Sequence, residues 1–339
     1  MRKIIKLFLI SLCILALTGC GGTSASGKEK IIIKYGTTLA PEHSLNKCGE
    51  YLKERMYELS DGRVEVQIFP SGQLGGEKAQ IESLMAGGHD LHMGSQALIS
   101  NWIPEYSVLD LPYLVYNEQE AEQLLKGEVG EKLLTALEDI GLYGMGWGEN
   151  GFRLFTNNKN PVKHPEDFGG MIIRSMENKL MLDAMAHWGA NPTPMSITEV
   201  YTALQQDTID GQENPASLIY SQRFNEVQKY MSVSNHFYSP FVLYGSKAKI
   251  DRLPEDIKAM LFQACREACD YQIEVAREQN TQNIKDIEAS GTEVYYFTDE
   301  DKSYWREKSE EIYEKYRPVI GEETFDYVME EIEKIRGEQ

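Results

Sequence analysis

The chain has 339 residues, with 34 Lys and Arg against 53 Asp and Glu, for a formal net charge of −19. That balance excludes a nucleic-acid binder working through a general basic surface, and the mixed composition excludes a disordered or fibrous chain. The length fits one large or two ordinary domains around a sizeable core.

Arg2, Lys3 and Lys6 precede an apolar run from Leu7 to Leu17 that stops at Thr18-Gly19-Cys20. The run is shorter than the roughly 20 residues a spanning helix needs, and a small residue sits just before Cys20, so residues 1–19 read as a secretory signal. Leu17-Thr18-Gly19-Cys20 resembles the lipobox of bacterial lipoproteins. That resemblance implies that Cys20 is the lipidated first residue of the mature protein, with 20–29 as a flexible tether. Removing residues 1–19 takes away three positive charges and no negative ones, which lowers −19 to −22. Of the remaining cysteines, Cys48, Cys265 and Cys269, an odd number cannot all pair within the chain. Cys265 and Cys269, four apart in a helical pattern, are expected as half-buried thiols rather than a strained disulfide.

The pattern then alternates. Ile31 to Tyr35 is strand-like, Asn46 to Leu59 helical, and Val64, Val66 and Ile68 alternate with polar residues as a half-buried strand. Pro70-Ser71-Gly72 turns the chain, Glu77 to Ala86 is helical, and Leu91 to Gly94 is a short strand. This spacing predicts βαβ units and a largely parallel sheet. A second series starts near residue 150: strand 153–156, a polar turn through 161–170, strand 171–174, helix 178–188 and helix 197–206. Tyr238 to Tyr244 suits a strand returning into the first lobe.

Pro254 and Gly291 bracket a helical pattern of 36 residues, 255–290, about 54 Å if unbroken. A polar stretch around Gln279 to Asn283 leaves two readings, a single strut across both lobes or two helices broken near Asn280. The charged tail 300–336 reads as a surface helical cap.

Enzyme signatures are weak. Gly146-Trp147-Gly148-Glu149-Asn150-Gly151 matches the glycine fingerprint of dinucleotide binding, but it runs on into a strand instead of opening a helix, so no pyrophosphate would meet free N–H groups. His89 and His92, with Asp90 between them but no Cys or further His nearby, read as a solvated corner. More informative are two guanidinium groups in otherwise uncharged segments, Arg153 within Gly151 to Phe155 and Arg174 ending the strand Met171 to Ile173. Each needs an anionic partner if buried, either a ligand carboxylate or an internal Asp or Glu.

Gly189-Ala190-Asn191-Pro192-Thr193-Pro194-Met195, Thr198 to Gln206 and Ile209-Asp210-Gly211-Gln212-Glu213-Asn214-Pro215 together resemble the DctP-type solute-binding proteins of tripartite ATP-independent periplasmic (TRAP) transporters. Phe69 to Gly76, Asn150-Gly151-Phe152-Arg153, Ile173-Arg174 and Glu226 to Tyr230 with Ser234-Asn235-His236 follow the family's other motifs in order. The resemblance implies a two-lobed, periplasmic-binding-protein-like α/β fold with hinge strands and one long helix spanning both lobes. It places 30–150 and about 239–278 in the first lobe, and 151–238 and about 279–339 in the second. It implies no enzyme, cofactor or metal, but an extracytoplasmic protein, expected as a monomer and anchored by the lipid on Cys20 that the lipobox implies, which captures an organic acid for the integral-membrane subunits of a transporter. Arg174 would then clamp the carboxylate, Arg153 would add a cationic contact, and Asn214, held by Pro215, would donate an amide hydrogen bond. Glu77 would face the ligand, with His43, Lys47 and Asn150 as further candidates. Ile197 stands where some members carry a stacking aromatic residue. An acidic Glu77 would repel a second carboxylate and suit hydroxyls, which favours a sugar acid over a C4-dicarboxylate or 2-oxo acid. Presentation of the ligand to a receptor kinase is the rival function.

Overall fold

The computed structural model describes residues 30–337, so the signal, the Cys20 lipidation site and nearly all of the tether lie outside the described residues. In chain order the elements are β1 (Ile31–Gly36), α1 (Ser44–Leu59), β2 (Val64–Phe69), α2 (Glu77–Met85) and β3 (Leu91–Ser95). Two 3-10 turns over Gln96–Asn101 and Pro104–Asp110 lead to α3 (Glu118–Lys126), α4 (Glu128–Ala136) and the long strand β4 (Leu142–Phe152). The second lobe follows with β5 (Leu154–Asn157), β6 (Ile172–Ser175), α5 (Lys179–His187), β7 (Asn191–Pro194), α6 (Ile197–Gln205), β8 (Gly211–Asn214), α7 (Ala216–Ser221) and β9 (Tyr230–Val233). The chain closes with β10 (Tyr238–Ser246), α8 (Lys247–Ile250), α9 (Glu255–Ala289), β11 (Glu293–Tyr296), α10 (Asp299–Ile320) and α11 (Glu322–Gly337).

Two sheets result, one per lobe. The first has the order β2-β1-β3-β10-β4 and the second β11-β9-β5-β8-β6-β7. The first sheet is parallel through β2, β1 and β3, but β10 runs antiparallel to both β3 and β4. The expected largely parallel sheet is therefore mixed, and the reason is connectivity. Strand β4 carries the chain out of the first lobe and β10 carries it back, so two crossing strands that pair must run in opposite directions. Their ladder ends at Phe152 and Tyr238, where the chain passes between the lobes.

Helix α9 is a single helix of 35 residues, about 52 Å long. It packs on α1 and β4 and then on α7, and so spans both lobes. The polar residues that left its continuity open are spent where it crosses the lobe boundary. Gln279 Oε1 accepts from Ser44 N (3.0 Å) and its Nε2 donates to Glu42 O (2.9 Å). Asn280 Oδ1 accepts from Ser217 N (2.9 Å) in the second lobe, and its Nδ2 donates to Asn150 O (2.8 Å) in β4. The glycines of the nucleotide-like run lie under this helix. A Cβ at Gly146 would meet Cys269 Sγ at 2.9 Å and one at Gly148 would meet Gln272 Oε1 at 2.6 Å, so the glycines let α9 lie directly on β4.

The tail is more than a surface cap. Trp305 of α10 is fully buried against Phe155, Phe168 and Trp188 of the second lobe, and its Nε1 donates to Lys163 O at 2.8 Å. Helix α11 then turns back onto α3, where Arg336 donates to Leu114 O (2.8 Å) and pairs with Glu120 (3.2 Å). Residues 322–337 thus lie against the first lobe, a correction to their expected place in the second. Two further expectations change. Cys265 and Cys269 are free thiols but fully rather than half buried, as is Cys48. His89 and His92 are buried, not solvated; their Nδ1 atoms contact Ser83 Oγ and Gly36 O, each at 3.0 Å.

Candidate functional site

Arg153 occupies the break between β4 and β5, where the ladder with β10 ends, and it is completely buried. Its Nε contacts Glu213 Oε2, while Nη2 donates to Glu213 Oε1 (2.9 Å), Glu213 O (2.7 Å) and Asn214 Oδ1 (3.0 Å). Of the two readings open for this arginine, the internal ion pair is the one present. Glu213 is completed by Ser175 Oγ at 3.0 Å and His236 Nε2 at 3.5 Å. Burial works to raise the Glu213 pKa, but Arg153 and His236 outweigh it and hold the carboxyl well below its usual range. Burial lowers His236 to about 4 despite Glu213, which keeps the ring neutral at pH 7, stacked on Phe155 with centroids 3.8 Å apart.

Arg174 is different. It ends the buried strand β6, and its Nε and Nη2 both donate to Met195 O, at 2.9 and 2.7 Å. Its Nη1 is buried with no partner. Burial lowers its pKa, opposed by Glu213, to about 10, so the guanidinium stays charged at neutral pH. A buried, unpaired charged donor costs on the order of 1–3 kcal/mol or more, which makes it a marker for an anion.

Arg174, Arg153, Asn150, Asn214, Glu77 and Ser95 line one small cavity with Leu39, Leu45, Met176, Ile197, Leu218 and Phe241 as its apolar wall. Its volume is ≈ 20 Å³. That is room for about one water, so an organic acid enters only when the lobes part. A second cavity of ≈ 490 Å³ shares Glu77, Arg174, Met176 and Ile197 with it, and it forms the mouth between α2 and the start of α6. Asn150 Oδ1 is a second buried atom without a partner.

Glu77, the first residue of α2, accepts a hydrogen bond from Ser95 N. Burial pushes its pKa up from 4.5 to about 7, despite the Ser95 N–H and the charge of Arg174. Closing the cleft over the neutral acid carries no charge penalty, whereas closing it over the carboxylate does. That penalty is absent below 4.5, grows as the pH rises towards 7 and is complete above it. Solute affinity is therefore expected to fall as the pH rises through this window. Calorimetric titrations across it should show a steeper decline in the native protein than in Glu77→Gln.

Two of the expected ligand residues, His43 and Lys47, are engaged by the protein itself. His43 lies outside the cavity: its Nδ1 accepts from Leu45 N (3.2 Å) as the N-cap of α1, its Nε2 lies 3.5 Å from Ser217 Oγ, and burial lowers its pKa to about 3. Lys47, one turn into α1, pairs with Glu50 at 2.8 Å on the surface. Asn214 lines the cavity: its Nδ2 donates one N–H to Gln212 Oε1 (2.5 Å), its Oδ1 holds Arg153, and the second N–H of the amide is uncommitted. Glu213 and Ser95 are the residues the sequence reading missed. The signal for Glu213 was present, a lone acid beside Gln212 and Asn214 in a segment that becomes a buried strand, the mirror of the argument applied to Arg153. Ser95 acts through its backbone N–H, which carries no sequence signal.

Residues 35–318 match the family model DctP, described as bacterial extracellular solute-binding protein, family 7. The chain belongs to the DctP family. Among solved structures it is similar to the sugar acid binding protein DctPAm from Advenella mimigardefordensis in complex with galactonate, with a TM-score of 0.88, 37% identity, and 91% of this chain and 99% of that chain covered. It is also similar to a TRAP periplasmic solute-binding protein from Sulfurospirillum deleyianum with bound succinate, with a TM-score of 0.85, 31% identity and coverage of 88% and 98%. The C4-dicarboxylate-binding periplasmic protein DctP of Rhodobacter capsulatus is 33% identical over 298 residues, 87% of this chain and 89% of that protein. The chain is thus a DctP-type solute-binding protein of the TRAP class, with the two-lobed α/β fold of its relatives.

Proposed function

We propose that this DctP-family protein captures a carboxylate-bearing solute outside the cytoplasmic membrane and delivers it to the membrane subunits of a TRAP transporter, and that the solute is a sugar acid such as a hexuronate or aldonate. The observation that carries the reading is the partnerless Nη1 of Arg174 in the same cavity as Glu77. A carboxylate satisfies the first with a charge-assisted hydrogen bond. A hydroxyl, which both donates and accepts, suits the second, where another carboxylate would meet like charge whenever Glu77 is ionised. Arg153 contributes positive potential and rigidity, and the open acceptor of Asn150 suits a further hydroxyl. The galactonate complex of the Advenella relative supports a sugar acid, while the succinate complex of the Sulfurospirillum relative stands for the alternative. On this reading Cys20 carries the lipid anchor and the protein works as a monomer without metal or cofactor.

A thermal-shift screen against organic acids tests the assignment. Solute at 100 times its dissociation constant stabilises the fold by about 2.7 kcal/mol, enough to rank candidates. Hexuronates and aldonates are expected to lead. A shift with succinate or malate and none with sugar acids would transfer the site to dicarboxylates.

A further inference from the structure

Away from the solute cavity, one side chain of the second lobe reaches three groups of the first. Asn178 precedes α5 in the second lobe and caps that helix, with its Oδ1 accepting from Met181 N at 2.8 Å. Its Nδ2 points the other way, into the turns that follow β3 in the first lobe. There Ala97 O and Asp110 Oδ2 each lie 2.7 Å away, and Ser100 Oγ lies at 3.1 Å. The neighbouring Glu177 O accepts from Asn101 Nδ2 at 3.1 Å, which doubles the seam.

Asp110 is buried, and its two hydrogen-bond donors are neutral amides: Gln96 Nε2 at 2.6 Å from its own lobe, and Asn178 from the other. Burial pushes its pKa up to about 7 in spite of them. A carboxylate that served the first lobe alone would be satisfied from within it, whereas here one oxygen depends on an amide across the cleft. Parting of the lobes at this seam would return both groups to water, so the interaction would favour the closed form. We propose that Asn178 and Asp110 form a latch across the cleft that holds the lobes closed. Only its consequence, longer retention of the solute, rests on the reading of the cleft as a solute site.

The opposite side of the cleft provides a reporter that needs no solute. A Cβ on Gly76 would lie 3.8 Å from Ser196 Cβ, the mean separation in disulfides, and these residues belong to different lobes. In a Gly76→Cys/Ser196→Cys background, oxidation by glutathione disulfide joins the lobes at a rate set by the closed fraction. Asn178→Asp keeps the shape and the helix cap but replaces the donor with a carboxylate facing Asp110. It is expected to slow cross-linking roughly 10- to 100-fold, the loss of one charge-assisted hydrogen bond. Asn178→Ser, which also caps α5, should slow it as well and serves if the first variant folds poorly. Adding Asp110→Asn to Asn178→Asp exchanges donor and acceptor between the two side chains but leaves Ala97 O without its donor, and should restore the rate in part. Equal cross-linking rates in all variants, or a double variant as slow as Asn178→Asp alone, would overturn the latch.

Discussion

Arg174→Ala is expected to cost about 2–5 kcal/mol of solute binding, a fall in affinity of roughly 30-fold to several thousandfold, the usual scale for removing one partner of a desolvated charge pair. The reason lies in how the guanidinium is divided. Two of its nitrogens are committed to Met195 O, which fixes the plane of the fork, and only Nη1 is left for the solute. Arg174→Lys should fall between native and alanine, because it keeps the charge while losing both the fork and its anchor. Calorimetry with the acid that leads the thermal-shift screen reads the effect. Affinity unchanged in Arg174→Ala would remove this residue from the site. Unfolding of each variant, followed in parallel, separates the effect on binding from the loss of the Met195 contacts.

Breaking the pair behind it should act on the fold more than on the solute. Arg153 and Glu213 are both completely buried and satisfy each other through two nitrogens and two oxygens. Glu213→Leu leaves a buried guanidinium without its counter-charge, and Arg153→Met leaves a buried carboxylate. Each is expected to cost about 3–5 kcal/mol of stability by denaturant unfolding. The double variant should be less destabilised than the sum of the two, because no charge remains stranded. Strict additivity would mean that the two charges do not depend on each other. Acid should act in the same direction. The lowered pKa of Glu213 contributes stability above its ordinary 4.5 that is lost as the pH falls towards its folded value. His236, held neutral at about 4, adds a further cost as protonation is forced below 6.5.

Much of the architecture was legible because it follows local chemistry. Alternation marked β2, the helical pattern marked α1, α2 and α5, and Pro254 with Gly291 bracketed α9. The motifs from Phe69 to His236 carried the family, and with it the two lobes and the strut. What failed were inferences that needed to know what a side chain meets. His43 and Lys47 looked like ligand contacts beside a cleft, yet one caps a helix and the other pairs along its own surface. The same polar stretch of α9 would break an isolated helix or clip a supported one, and only the atoms opposite Gln279 and Asn280 decide which.

By itself, then, the amino-acid sequence determined that this acidic chain folds as two α/β lobes and that Arg153 and Arg174 are its unusual cations, since period, turn residues and charge context are local properties. Only the tertiary structure decided that the two arginines do different work. The charge of one is answered by an acid 60 residues away in the sequence, and the other is left with a free nitrogen in a cavity. Burial and pairing across the chain set the free energy of a charge, and both arise only once the lobes have folded and met.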